Sequence, residues 1–144
     1  MTFNIPQPVA DLIDAANSFD TDRFMRPFAQ DAMVNDRHRQ FWGYSAIRKW
    51  CEIEITGDHV TMNPVEVINH YGDVIVSAEL DGDYDKSELP DPFILQFYFT
   101  LRDDKIVQCI LLPVGGRKLS KATETSEAAT PFAARVPTSA QPTP

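Results

Sequence analysis

Asp36 and His38 are the two residues in this chain whose types and spacing come nearest to a proton-moving pair. Asp36 closes the run Asp31-Ala32-Met33-Val34-Asn35-Asp36, whose alternation of apolar and polar residues reads as a short strand. A carboxylate held in an apolar cavity is harder to ionise than one in water, which suits a general base working near neutrality. If the strand continues, His38 points to the same side as Asp36, because residues two apart share a face. Such a pair could shuttle a proton between substrate carbons. The competing use of Asp36 is local: capping backbone amides, or pairing with Arg37 or Arg39.

Other side chains could hold a ligand rather than transform it. Gln108 can position a carbonyl or hydrogen-bond a buried water. Trp42, Trp50, Phe97 and Phe99 are core residues that would also wall a cavity, since lining and core are the same atoms in a hollow fold. The run Asp81-Gly82-Asp83-Tyr84-Asp85 opens like a calcium loop, but Lys86 stands where glycine is needed and Pro92 where a bidentate glutamate is needed. The loop from Asp81 to Pro92 is instead expected to form a flexible rim, with Tyr84 and Leu89 as lid contacts. No zinc spacing, phosphate loop or Ser-His-Asp order is present. Cys51 and Cys109 lack a nearby cysteine and read as buried thiols. No metal and no cofactor is therefore expected.

The elements that must position these residues follow from periodicity. After Pro6 and Pro8, which suit a first helical turn, Val9, Leu12, Ile13 and Ala16 recur on one helical face, extended by Phe19. A short second helix carries Phe24 and Phe28, ended or kinked by Pro27. A third begins after Gly43, buries Ile47, Trp50 and Cys51, and stops at Gly57-Asp58. Gln40-Phe41-Trp42 is a strand fragment. Residues 60–70 and 74–82 form one hairpin around Gly72-Asp73, and residues 93–102 and 105–112 another around Asp103-Asp104.

Taken with a two-residue turn, the second hairpin pairs Phe99 with Gln108 and Phe97 with Ile110 on an almost wholly apolar face. Tyr98 then faces Cys109 and Gln96 faces Leu111 on a mixed second face. In the first hairpin the same logic sets Glu66 opposite Glu79. A sheet apolar on both sides needs two covers. The helices supply one, so a homodimer through the sheet is expected to supply the other.

Composition bounds the rest. The chain has 144 residues, 43% of them hydrophobic, a formal charge of −8 and a pI near 4.7. Length and composition fit a single domain over residues 1–114. Residues 115–144, rich in Pro, Ala, Thr and Ser, read as a disordered tail in which Phe132 is the one large anchor. The acidic balance, without a basic stripe, argues against nucleic acid. No apolar run approaches the ~20 residues of a bilayer span. The opening residues lack the pattern of a signal peptide, so a cytoplasmic location is expected.

Two motifs and the last strand block carry a family resemblance. They are Phe28-Ala29-Gln30-Asp31-Ala32-Met33-Val34-Asn35-Asp36, then Trp42-Gly43-Tyr44-Ser45-Ala46-Ile47-Arg48-Lys49-Trp50, and the stretch from Phe93 to Leu112 with Lys105-Ile106 after its turn. Over residues 5–113, in order, the chain resembles the nuclear transport factor 2-like superfamily, in its SnoaL-like branch of polyketide cyclases and ketosteroid isomerases. The resemblance implies an α+β, cystatin-like cone: a curved mixed or antiparallel sheet wrapped around three N-terminal helices, with an apolar cavity at the open end. It implies a pocket for an apolar small molecule. The chemistry would be that of a cofactor-independent isomerase, cyclase or dehydratase on a carbonyl compound, or else ligand binding or dimerisation without turnover. Asp36 matches the position of the proton-shuttling carboxylate of ketosteroid isomerases. Their oxyanion-binding tyrosine and protonated acid fall at Leu12 and near Phe97, so ketosteroid isomerisation itself is not expected.

Overall fold

A computed structural model describes residues 3–114; the expected tail at 115–144, with Phe132, lies outside the described residues. Helix α1 (Gln7–Asn17) starts at the prolines and buries Val9, Leu12, Ile13 and Ala16, the face its spacing predicts. Phe19 departs from that stripe. The chain turns there with φ of 56°, and the ring is 45% exposed, edge-on to His59. Helix α2 (Thr21–Met25) is capped by the Asp20 carboxylate, which accepts from the Arg23 amide at 3.1 Å. Pro27 ends it, so Phe28 belongs to the next strand rather than to the helix.

Strand β1 (Phe28–Asp36) and β2 (Arg39–Trp42) form a hairpin, followed by α3 (Tyr44–Trp50). The last turn of that helical segment, Cys51–Ile55, is π-helical, with the Thr56 amide donating to the Cys51 carbonyl at 2.9 Å. Strands β3 (Thr61–His70), β4 (Asp73–Asp81), β5 (Phe93–Arg102) and β6 (Lys105–Pro113) complete one six-stranded sheet in the order β2-β1-β6-β5-β4-β3. It is mixed: β1 runs parallel to β6, and all other neighbours are antiparallel. The helices and one sheet face share a single core that includes Leu12, Phe24, Ile47, Trp50, Phe97 and Phe99. No helix among the described residues is long and apolar enough to cross a membrane.

Both expected hairpins form, but each carries a bulge that changes its register. In β5–β6 the Asp103-Asp104 turn has positive φ at both residues, and Leu101 pairs with Ile106 as expected. One extra residue in β6 then shifts the ladder, so Thr100 faces Gln108, Phe99 faces Cys109 and Phe97 faces Leu111. A one-residue slip exchanges the faces. Cys109 and Leu111 therefore enter the core with the phenylalanines, and Gln108 leaves it. In β3–β4 the turn is Tyr71-Gly72, one residue earlier than expected, and Glu66 faces Ser77 while Asn63 faces Glu79. The opposed glutamates do not occur.

Candidate functional site

The cone holds a half-open cavity of about 260 Å³. Its walls come from the strands, with Met62, Leu80, Leu95, Phe97 and Leu111 on their inward faces, and from Ile55 and Val60 at the π-turn. Tyr84 and Leu89 of the 82–92 loop also line it. Burial raises the Tyr84 hydroxyl above its ordinary pKa, the charge of Asp81 adding to the effect. On its outer side the same loop borders a second depression, which shares Leu80, Tyr84, Leu89 and Phe93 with the first.

Asp36, Arg37, Glu54, Asp58 and Asp85 give the cavity its charged lining. Asp36, the last residue of β1, is 3% exposed and sits beside Leu111 of β6 in parallel register. Its Oδ1 accepts from Arg37 Nε at 2.8 Å; its Oδ2 accepts from Arg39 Nη2 at 2.8 Å and from Trp50 Nε1 at 3.1 Å. Arg39 also forks onto Glu54, with Nη1 to Oε2 at 2.8 Å and Nη2 to Oε1 at 2.7 Å. Hydrogen bonding to Glu54 holds the Arg39 guanidinium above its ordinary pKa. The ion pairs named as the local use of Asp36 are thus both present, and an indole N–H joins them. Of the roughly four acceptor directions on a carboxylate, one, on Oδ1, takes no protein donor among the described residues.

His38 does not continue the strand. Arg37 and His38 are the two central residues of the β1–β2 turn, with φ of 51° and 86°. The exposed His38 gives its backbone N–H to Asn35 Oδ1 at 3.0 Å and contributes nothing to the cavity lining. The turn at residue 37 breaks the strand alternation from which the Asp36–His38 pair was expected. Trp42 is 65% exposed and donates to Gln40 Oε1. Its neighbour Phe41 is the inward residue of β2, with its ring 5.9 Å from that of Trp50. Gln108, moved by the β6 bulge, faces away from Phe97 and Phe99. Trp50, Tyr84, Phe97 and Phe99 stay with the core and cavity, Phe99 buried behind Phe97 with the rings stacked at 6.1 Å. Sequence reasoning named Arg37 only as an ion-pair partner of Asp36, not as a site residue, and missed Glu54. A two-residue turn after Asp36 could have signalled the first.

Leu12 and Phe97 are the positions that the resemblance assigns to the isomerase tyrosine and protonated acid. Leu12 is buried on α1, and Phe97 lines the cavity. Among the described residues no group of His, Cys, Asp and Glu could hold a metal ion.

No family model matches the sequence, and no curated protein sequence matches it. Solved structures do. A candidate polyketide cyclase from Sinorhizobium meliloti shares 27% identity with a TM-score of 0.67, over 74% of this chain and 94% of its own. A ketosteroid isomerase-like protein from Catenulispora acidiphila, in complex with trimethylamine, superposes with a TM-score of 0.63 at 16% identity, over 86% of this chain and 95% of its own. The Orange Carotenoid Protein of Anabaena, binding canthaxanthin, gives 0.63 at 15% identity, over 78% of this chain and 37% of its own. The chain has the nuclear transport factor 2-like, SnoaL-like α+β fold that its sequence resembles.

Proposed function

We propose that this chain is a small-molecule pocket protein that holds an apolar compound with its polar end toward Asp36 and Arg37. The observation that carries this reading is the cavity itself, lined by Met62, Leu80, Leu95, Phe97 and Leu111 together with Asp36, Arg37 and further carboxylates, and by Tyr84 and Leu89 of the 82–92 loop. Trimethylamine and canthaxanthin in two structures of the same fold support a ligand-holding use of this architecture. Trp50, Phe97 and Phe99 back the wall and Tyr84 covers it. Neither Trp42 nor Gln108 belongs to the site. A cytoplasmic homodimer joined through the outer sheet face is the proposed setting.

Binding without turnover is the form the geometry favours. Three donors hold Asp36, and Leu12 and Phe97 offer no hydrogen bond to an enolate oxygen. One observation supports the second form, a cofactor-independent isomerase, cyclase or dehydratase with Asp36 as base. The carboxylate lines the cavity with one acceptor direction uncommitted.

Native mass spectrometry of the gently desalted protein tests the pocket. The wild type is expected to retain an apolar small molecule, and Leu80→Trp, which fills the cavity from β4, is expected to lose it. Equal retention by the folded variant would show that the molecule sits elsewhere. Turnover of a captured compound that is indifferent to Asp36→Asn would end the catalytic form.

A further inference from the structure

Resting on the pocket reading above, we propose that Arg37 is the residue that recognises the ligand, and that it selects a neutral carbonyl compound over a carboxylate. Arg37 lines the cavity, and its guanidinium is tied to the protein at one point, Nε to Asp36 Oδ1. Nη1 and Nη2, with about four N–H donors between them, have no acceptor among the described residues. Arg39, next on the hairpin, is used up: both its terminal nitrogens are committed to Glu54 and Asp36. Asp36 thus anchors one guanidinium through its inner nitrogen and leaves the outer fork, on a side chain 41% exposed, to water or to a ligand.

The backbone supports a recruited role. Asp36 and Arg39 are paired, so Arg37-His38 is a two-residue turn with positive φ at both positions. Such turns favour Asn-Gly or Asp-Gly, and the Asp103-Asp104 turn of the second hairpin keeps an aspartate first. An arginine at this position is conformationally costly. It places a cation at the rim of a cavity that otherwise has carboxylates for charged lining.

Those carboxylates decide the ligand class. Asp36, Glu54, Asp58 and Asp85 line the cavity against Arg37, with Arg39 just behind. A ligand carboxylate would gain the Arg37 fork but face a wall with more negative than positive charge. A ketone or aldehyde oxygen accepts the same hydrogen bonds without that repulsion.

Binding of three probes of one shape tests this by titration calorimetry: acetylnaphthalene, naphthoate and ethylnaphthalene. Wild type is expected to bind the ketone roughly tenfold or more tightly than the hydrocarbon, as one charge-assisted hydrogen bond would give, with the carboxylate weakest. Arg37→Met keeps the apolar stem and removes the donors. It should erase the ketone's advantage and leave ethylnaphthalene binding unchanged, which also shows that the variant folds. Arg37→Lys should restore part of the advantage. A ketone advantage that survives in Arg37→Met, or naphthoate binding tightest to wild type, overturns the assignment while the pocket stands. Failure of all three probes to bind wild type overturns the pocket reading and this inference together.

Discussion

Asp36 shows how one residue can be identified correctly as central and its surroundings still be misjudged. Its carboxylate is satisfied from three directions, and the indole of Trp50 is the one donor that comes from the core. Trp50→Phe keeps an aromatic ring against Phe24 and Phe41 but deletes that donor. A hydrogen bond to a charged acceptor is worth about 1.5–3 kcal/mol, so the urea midpoint should fall accordingly. The loss should shrink when Asp36→Asn is already present, since the two residues share the interaction. Cys109 carries the second residue-scale prediction. Burial, then the negative charge of Asp36, pushes its thiol well above the ordinary value of 9.0. Above pH 9 the unfolded thiol ionises while the folded one stays protonated, so the unfolded state binds fewer protons and stability falls as pH rises. The slope should approach about 1.4 kcal/mol per pH unit, and in Cys109→Ala that contribution should vanish from the stability profile between pH 9 and 11. The sequence showed a carboxylate with arginines beside it. It did not show Glu54, because the fork from Arg39 spans fifteen positions and depends on where the π-turn ends.

The hydrophobic spacing of α1, the prolines bounding the first helices and the Asp103-Asp104 turn were legible because each acts through neighbouring residues. The bulges were not: a single extra residue in β6 leaves the apolar pattern nearly unchanged yet sends Gln108 outward and Cys109 inward. The π-turn was equally hidden, and it matters because Glu54 and Ile55 reach the cavity from it. Gly57 shows why it closes as it does. A Cβ there would overlap the Glu52 carbonyl oxygen and lie 2.7 Å from that of Ile53. Backbone cannot rotate away as a side chain could, so Gly57→Ala must unwind the turn or displace it. The cost expected for such overpacking is about 1–3 kcal/mol. Amide exchange should then speed up at Thr56, whose N–H closes the π-turn, and at Val60, whose N–H binds the Ile55 carbonyl. Unchanged protection at both amides would show that the segment tolerates a side chain there.

For the whole molecule the unsettled surface is the outer face of the sheet. Ile94 and Tyr98 of β5 stand beside Ile110 and Leu112 of β6, with Ile75 of β4 next to them. None of these joins the core cluster, and each is only half-buried, by its neighbours in the sheet. The bulge sets Ile110 on this face where a bulge-free register would set Cys109, and brings Gln108 out beside Thr100. A second copy is the proposed cover, and a two-fold interface counts every substitution twice. Ile110→Glu would bury an unpaired carboxylate in each subunit, at a cost of several kcal/mol per charge. Sedimentation at micromolar concentration should therefore show a dimer for wild type and a monomer for Ile110→Glu. The variant should stay folded, since a glutamate on this face of a monomer is solvated. Its cavity lies on the opposite side of the sheet, so ligand retention should persist. A wild-type monomer under these conditions would remove the second copy from the proposal and leave the apolar outer face to be covered in some other way.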